Sequence, residues 1–494
     1  MTILILEHPR ILSLVHFNDI ANTPLWSCLM GGYGAAILKE SGLRVKFLNA
    51  AEKRWNFVKT KEAILEISPS LLSINGIYLW EHTGRFFDFI ADLKTSGFNG
   101  HINLFGFFPT LTWRKILERY PQVDSITVGE HEKTLDDLAK CMENGGAYQY
   151  IPGLAVRKEN SLIYNNKRQP EVNPDGFPFP ARDLEGVNTA SILASRGCYN
   201  HCSFCPIPNF YNNGPLWRGR SPYNIFKEIK ELVDLGIRDF YFVDPNFVGP
   251  GKKGKKRIIQ LAELLAPLEI TFGMETRAND LDNRILESLV KAGLKSLLLG
   301  IESGSTKILE KLNKTGSLNT SEKAIGLCRS FGIEPEIGFL MFTPDCSIID
   351  IQNNFEFLLR NNLLDRLERT ANLLSHYQIV LKGTAGYNLF KTQGRLKKIG
   401  DLGFEGEIIY ADNAVEWLKE VVVHLCRDLL YHMGQVDSLI HWQCSDDNKE
   451  IFKKINDVLI HVFKELLNKS QKGRPFPDPE ITKNDMRRFL YDFV

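Results

Sequence analysis

The run ASRGCYNHCSFCP, Ala194–Pro206, follows an apolar stretch that reads as a β-strand. It holds Cys198, Cys202 and Cys205, three of the nine cysteines in the chain, at the spacing C-x-x-x-C-x-x-C. Three thiolates on one short loop can converge on one metal centre. A four-iron, four-sulfur cluster held by three cysteines keeps one iron without a protein ligand, and a reactive centre needs that open position. Structural zinc is the rival occupant. Zinc wants four closed ligands, and His201, the nearest fourth ligand, adjoins Cys202 and would strain a tetrahedral site. Phe204 would help to shield a cluster from water. In a reducing compartment such a cluster of thiols points to a metal rather than a disulfide. The other six cysteines, Cys28, Cys141, Cys328, Cys346, Cys426 and Cys444, stand singly. They are expected to be small buried apolar residues, with Cys346, after a strand end, fitting this least well.

Outward from this loop, residues 188–390 alternate strand and helix patterns. Candidate strands are Ala190–Ser195, Asp239–Asp244, Ile270–Glu275, Ser296–Ile301, Glu336–Met341 and Leu373–Val380, with helices such as Ser221–Leu235 and Leu281–Ala292 between them. Six βα units are too few to close an eight-unit barrel, so a partial (βα)6 TIM-type barrel is predicted. GPGKKGKK, Gly249–Lys256, nearly spells a phosphate-binding loop. Lys256 stands where Ser or Thr should hold magnesium, and a solvated basic turn is the better reading.

Residues 1–149 read as a doubly wound parallel α/β sheet. Its strands are Thr2–Leu6, Arg44–Asn49, Leu71–Ile77, His101–Phe105 and Asp124–Val128, with helices Leu29–Ser41, Phe86–Ser96 and Leu111–Tyr120. In such sheets ligands sit beyond the carboxyl ends of the strands. The loops Asn75–Ile77, Gly106–Thr110 and Gly129–Glu132 would face one crevice. Residues 150–187 read as a hairpin followed by a Pro-, Gly- and Asp-rich linker. Residues 391–494 are helix-dominated, for example over Asn413–Leu430 and Asn448–Leu467, and are expected to form a C-terminal cap or small helical domain.

Composition narrows the classes. Among 494 residues, 60 Lys and Arg balance 59 Asp and Glu. Nothing in that balance calls for nucleic acid or an anionic membrane. No apolar run reaches the roughly 20 residues of a membrane helix, and the N-terminus lacks a secretory leader pattern. A cytoplasmic protein is expected.

Beyond the cysteines, the chain resembles the radical S-adenosylmethionine superfamily over residues 188–390. The runs that carry this are GRSPYNIFKEIKEL from Gly219, FYFVDPNFVG with Asp244 and Asn246, FGMETRAND with Arg277 and Asp280, LLLGIESGS with Glu302 and Ser303, and HYQIVLKGT. GFLMFTPDCS departs from the pattern, with Pro344-Asp345-Cys346 where Gly-Glu is usual. The resemblance implies a 4Fe-4S cluster on Cys198, Cys202 and Cys205. It also implies a bound S-adenosylmethionine, with Arg277, Glu302 and Ser303 as candidates for its carboxylate, amino group and ribose, and Asp244 and Asn246 beside them. Arg can clamp a carboxylate bidentately.

The first 145 residues resemble the cobalamin-binding domain that precedes the core in one branch of that superfamily. GGYGAAILKESG from Gly31, SPSLLSINGI from Ser68, GFFPT from Gly106 and VGEHEKTL from Val128 carry the likeness. It implies cobalamin contacts at Asn75, Ile77, Gly106, Thr110, Gly129 and Glu130, with Ile77 and Trp80 facing the corrin. Glu130 and Thr134 suit the pattern, whereas Phe107 and Phe108 replace a small-residue loop. No Asp-x-His-x-x-Gly motif marks a lower cobalt ligand, and a flavodoxin-like sheet alone proves no ligand. The branch implies reductive cleavage of S-adenosylmethionine and, through methylcobalamin, C-methylation of a small molecule. An electron donor such as flavodoxin or ferredoxin is expected as a partner. Rival readings are a cyclase or rearrangement enzyme with both cofactors, and a non-catalytic iron–sulfur or zinc protein. His376, Tyr377 and the region after Asp401 are where substrate contacts are sought.

Overall fold

The computed structural model describes residues 1–494 except 12, 14–24, 159–160, 185, 212–216, 438–443, 473–475, 477, 483 and 485–494. In the N-terminal part, strands β1 (Thr2–Glu7), β2 (Arg44–Asn49), β3 (Leu71–Asn75), β4 (His101–Phe105) and β5 (Ser125–Thr127) alternate with helices α1 (Met30–Glu40), α2 (Phe57–Ile67), α3 (Thr83–Thr95), α4 (Phe107–Arg119) and α5 (Glu132–Glu143). All five strands pair in parallel. Ile3, Leu4, Ile5 and Leu6 are wholly buried. A central parallel strand covered by helices on both faces reads as a continuous apolar run, and β1 has that sequence.

The hairpin expected between the domains instead extends this sheet. Strands β6 (Leu154–Lys158) and β7 (Ser161–Tyr164) add antiparallel to β5, giving the order β2-β1-β3-β4-β5-β6-β7. Its pairing removes the free edge that β5 would otherwise present.

The core sheet runs β14-β13-β12-β11-β8. Its parallel strands are β8 (Thr189–Ile192), β11 (Asp239–Phe242), β12 (Thr271–Arg277), β13 (Leu294–Glu302) and β14 (Glu336–Phe339). A two-stranded ribbon, β9 (Ser195–Arg196) with β10 (Arg218–Gly219), flanks the cysteine loop. Helices α6 (Ile207–Phe210), α7 (Pro222–Asp234), α8 (Gly251–Leu265), α9 (Asn283–Lys291), α10 (Thr306–Lys311), α11 (Leu318–Ser330) and α12 (Ile348–Arg360) follow in turn. Local chemistry sets their starts. Ser221 caps α7 with Pro222 in its first turn, Asp282 caps α9, and Ser347 and Asp350 form a reciprocal capping box on α12. The basic run Lys252–Lys256 lies in the first two turns of α8, where Lys255 reaches Asp282 at 2.7 Å.

The expected sixth core strand, Leu373–Val380, forms no continuous strand: its first three residues end a helix and its last begins another sheet. Residues 367–375 form α13 (Leu367–Ser375), and only a single parallel bridge, Phe342 with Tyr377, remains at the sixth position. Leu367, Ala371 and Leu374 fall at helical spacing and are buried in the barrel core. Their apolar density, without regard to its period, is what resembled a strand.

Strands β15 (Val380–Leu381), β16 (Leu396–Ile399) and β17 (Glu405–Ile408), with helix α14 (Ala385–Thr392), make a small antiparallel sheet. It leans on the N-terminal domain through Phe404, whose ring lies 4.7 Å from Tyr78 and 5.0 Å from Phe108. Helices α15 (Asn413–Val436) and α16 (Asp446–Gln471) share one continuous apolar core with the barrel helices, so they complete the barrel's outer layer. No helix among the described residues is long and apolar enough to cross a membrane. Cys328, Cys346, Cys426 and Cys444 are buried as expected, but Cys28 is exposed and Cys141 half-buried. Cys28 lies on the turn Leu25–Leu29, where Leu29 takes the inward place.

Candidate functional site: three cysteines at the barrel mouth

The loop after β9 carries Cys198, Cys202 and Cys205, all half-buried. It is pinned to the turn that follows α10. Ser203 N donates to Leu312 O at 2.8 Å, and Asn313 Nδ2 donates to His201 O at 2.8 Å. Within the loop, Asn200 Nδ2 donates to Cys202 Sγ at 2.9 Å and Cys205 N donates to Cys202 O at 3.0 Å. The His201 side chain is exposed. No three His, Cys, Asp or Glu among the described residues are placed to hold a single metal ion.

Burial pushes all three thiols up, and the neighbouring cations Lys314 and, at Cys198, Arg277 pull them down. Lys314 is the closest charge partner of the loop. Burial works against its charge, but Glu302 and Cys202 hold its pKa above the usual lysine value. Its Nζ donates to Glu302 Oε1 at 2.8 Å. Glu302 itself sits at φ 74°, a left-handed conformation that costs a non-glycine residue and clusters at functional sites. A thiolate trio ringed by fixed cations suits an anionic iron–sulfur cluster.

On β12, Phe272 and Met274 pack outward into the helix layer, so Gly273, Glu275 and Arg277 face inward. The inward layers are unusually open. Arg277 pairs in register with Gly300, and Gly300 with Gly338. A cavity of about 250 Å³ beside them is lined by Arg277, Gly300, Lys314, Thr315 and Gly316. Arg277 donates to Thr315 O at 2.9 Å and to its hydroxyl, while its buried Nε has no partner. An unpaired guanidinium donor in a glycine-lined cavity fits a small anionic ligand such as the carboxylate of S-adenosylmethionine. The other expected contacts are engaged within the protein. Asp244 accepts from Ala194 N at 3.0 Å and from Ser195 Oγ. Asn246 Nδ2 donates to Asp280 Oδ2 at 2.9 Å, and Ser303 Oγ donates to Asn354 Oδ1 at 2.7 Å. Asp280 also accepts the Tyr199 hydroxyl at 2.6 Å, tying the cysteine loop to the end of β12.

The strand-end loops of the N-terminal domain pack against one another and are buried. Gly76 N donates to Phe105 O, and Gly129 N donates to Thr110 Oγ1 at 3.0 Å. Asn75 Nδ2 donates to Glu7, while Asn75 Oδ1 is buried without a partner; it lies 2.4 Å from where a Cβ on Gly106 would stand. Only glycine fits there. Ile77 is buried, and its N–H donates to His8 Nε2 at 3.1 Å. His8 therefore carries its proton on Nδ1, which meets Pro9 O at 2.7 Å, and has no free nitrogen for a metal. A second cavity of about 240 Å³ opens between this domain and the core. Met30, Tyr33, His131, Glu132, Arg196 and Tyr211 are among its lining residues. His131 Nδ1 and Glu132 Oε2 face each other at 3.5 Å on the wall of this cavity, and neither makes a hydrogen bond.

Glu130 has a different engagement. It accepts from Arg196 at 2.8 Å and from Arg218 at 3.1 Å, and Arg196 also pairs with Glu132 at 2.7 Å. The Arg196 guanidinium stacks 4.2 Å over Phe177. Arg196 stands two residues before Cys198, so this buried cluster couples the cavity to the cysteine loop.

Lys314, Tyr199, Asn200, Arg196 and Glu132 escaped the sequence reading. A lysine between helices or a tyrosine between cysteines carries no periodic signal, and the pairings of Tyr199 with Asp280 and of Arg196 with Glu132 span tens of residues.

Residues 192–358 match the Radical SAM superfamily. An uncharacterized methyltransferase of Pyrococcus horikoshii is 28% identical over 263 residues, covering 51% of this chain and 55% of that protein. The 4'-phospho-dehydrooxetanocin synthase of Priestia megaterium is 27% identical over 284 residues, covering 52% and 38%. The chain thus spans about half or less of the length of these curated relatives. Among solved structures, the cobalamin-dependent S-adenosylmethionine radical enzyme OxsB, with aqua-cobalamin and S-adenosylmethionine bound, superposes with a TM-score of 0.77 at 18% identity, over 99% of this chain and 75% of that one. Residues 192–358 thus match the Radical SAM superfamily, and the chain shares its fold with the OxsB structure along nearly its whole length.

Proposed function

We propose that the chain is a cobalamin-dependent radical S-adenosylmethionine enzyme that C-methylates a small molecule. The observation that carries this is the trio of half-buried thiols at the barrel mouth, under Lys314 and beside the glycine-lined cavity of Arg277. Cys198, Cys202 and Cys205 would hold the cluster, Arg277 and Glu302 the S-adenosylmethionine, and the loops at Asn75, Ile77, Gly106, Thr110 and Gly129 the cobalamin. When bound, the cluster supplies the electron that cleaves S-adenosylmethionine reductively, and cobalamin supplies the methyl group.

The protein's own residues bind, orient and exclude water. Lys314 balances charge at the thiolates. Arg277 presents its free Nε–H to a carboxylate. Phe204 packs on the barrel core beside Cys205. Arg196, with Glu130 and Glu132, holds the two halves in fixed relation.

The test is incubation of the anaerobically reconstituted protein with S-adenosylmethionine, dithionite and candidate substrates. 5′-Deoxyadenosine, S-adenosylhomocysteine and a methylated product are expected. Absence of 5′-deoxyadenosine contradicts the reading. A small electron carrier such as flavodoxin or ferredoxin would replace dithionite physiologically. The name of a Synechocystis relative, anaerobic magnesium-protoporphyrin IX monomethyl ester cyclase, favours a second reading, ring formation without methyl transfer; it would give 5′-deoxyadenosine without S-adenosylhomocysteine. A non-catalytic iron–sulfur or zinc protein has no use for an Arg277 Nε–H left without a partner beside the cavity.

A further inference from the structure

Glu275 is the inward residue of β12 one step below Arg277, roughly 7 Å along the strand. It is half-buried, its carboxyl accepts no hydrogen bond among the described residues, and its electrostatic neighbour is another carboxylate, Asp244. Tyr241 on β11 pairs in register with Gly273, one inward position below Glu275, and feels its charge. Next to it Gly273 keeps the wall thin, since a Cβ there would meet Ser296 Oγ and the Tyr241 ring. The cations of this region are committed elsewhere. Arg277 is on Thr315, Lys314 on Glu302, and Arg257 on the carbonyls of Arg220 and Phe247.

An unpaired carboxyl facing a second carboxyl in a closed wall is costly to keep. Such groups persist where a ligand completes them. Asp244 already accepts hydrogen bonds from Ala194 and Ser195 and has the Arg257 and Arg220 charges near it, so Glu275 alone lacks a counter-ion. A neutral hydroxyl would satisfy one lone pair and leave that charge uncompensated, whereas a cation supplies the counter-charge. S-Adenosylmethionine also carries cationic groups, but its candidate clamp, Arg277 with Glu302, lies one layer higher at the strand ends.

We propose that Glu275, with Tyr241 at its side, is the recognition point for a protonated amine on the substrate. This rests on the reading of the barrel interior as a substrate chamber. Burial and the Asp244 charge lift the Glu275 carboxyl to about 7, in keeping with a site that lacks its counter-ion.

The experiment measures binding of benzylamine and of benzyl alcohol, its neutral counterpart, to the cluster-loaded full chain at about pH 8, where the carboxyl is ionised. Wild-type protein is expected to favour the amine by about tenfold or more. Glu275→Gln is expected to abolish that preference while keeping the cluster absorbance and the thermal melt of a folded protein, and Glu275→Asp to retain part of it. S-Adenosylmethionine affinity is measured on the same variants and is expected to stay within about twofold. No amine preference in the wild type, or a preference untouched by Glu275→Gln, overturns the proposal. A loss of S-adenosylmethionine binding by tenfold or so in Glu275→Gln also overturns it, since the cation is then the cofactor's. Reductive cleavage of S-adenosylmethionine by the wild type is followed separately. Its absence counts against the enzymatic reading, whereas its presence without amine preference counts against Glu275 alone.

Discussion

Lys314 Nζ lies 2.8 Å from Glu302 Oε1, with both side chains almost out of solvent and Cys202 on the far side of the lysine. The pair joins the end of β13 to the cysteine loop, so the cation serves the carboxylate and the thiols together.

Lys314→Met leaves Glu302 buried and alone. Removal of one partner from a buried ion pair costs roughly 3 kcal/mol or more. Urea unfolding of the metal-free protein is expected to show a loss of this order, largely restored in the double variant Lys314→Met/Glu302→Gln. The reconstituted variant should also have a more negative cluster reduction potential, because a positive charge beside the sulfurs is gone. Equal stability and potential in variant and wild type contradict the role given to Lys314.

Glu132 gives a signed pH dependence. Burial raises its pKa, but the Arg196 guanidinium outweighs this and holds the carboxyl at about 2, below the ordinary 4.5. A folded pKa below the unfolded one means stability that is present above about 4.5 and lost as the pH falls through about 2. Chemical unfolding at a series of pH values is expected to show Glu132→Gln less stable than wild type near neutrality by a few kcal/mol, with the gap closing across that acid window. A gap that does not narrow in acid argues against the pairing.

Glu275 runs the other way. Its folded pKa, about 7, exceeds the ordinary 4.5. The protonated form is the one the fold favours, so stability is full below about 4.5 and falls as the pH rises through about 7. Glu275→Gln is expected to be the more stable protein at about pH 8, by on the order of 2 kcal/mol, and indistinguishable from wild type near pH 4.5. Thermal melts at the two pH values decide this.

Ile77 has its side chain buried beside the strand-end loops and His8 has both nitrogens occupied. Ile77→His is expected to place an imidazole where cobalt would lie, giving a nitrogen splitting in the electron paramagnetic resonance of bound Co(II) cobalamin. A spectrum free of protein nitrogen, with cobalamin demonstrably bound, means that the loop does not face the metal.

Much of this was legible because it rests on local chemistry. Ile3–Leu6 and Ile102–Phe105 announce their strands by short apolar runs, and Ser221-Pro222 marks the start of its helix. The cysteine spacing is equally local. What escaped depends on distant pairing. The hairpin at Leu154–Tyr164 was visible as a hairpin, but its attachment to β5 lies in the edge it covers. Leu373 and Leu374 looked like strand because a short apolar run is ambiguous until its neighbours at Leu367 and Ala371 fix the helical period. Glu130, read as a cobalamin contact, lines the pocket between the domains and is held there by Arg196 and Arg218, 66 and 88 residues away. A carboxylate at a strand end gives no sign of which charge will meet it.

The most direct measurement is iron and acid-labile sulfide in the protein after anaerobic reconstitution, for wild type and for Cys202→Ala. About four iron and four sulfide per chain, with a visible absorbance that bleaches on reduction and is lost in Cys202→Ala, is the expected result. A colourless protein carrying one zinc, or an iron content indifferent to Cys202, would contradict it.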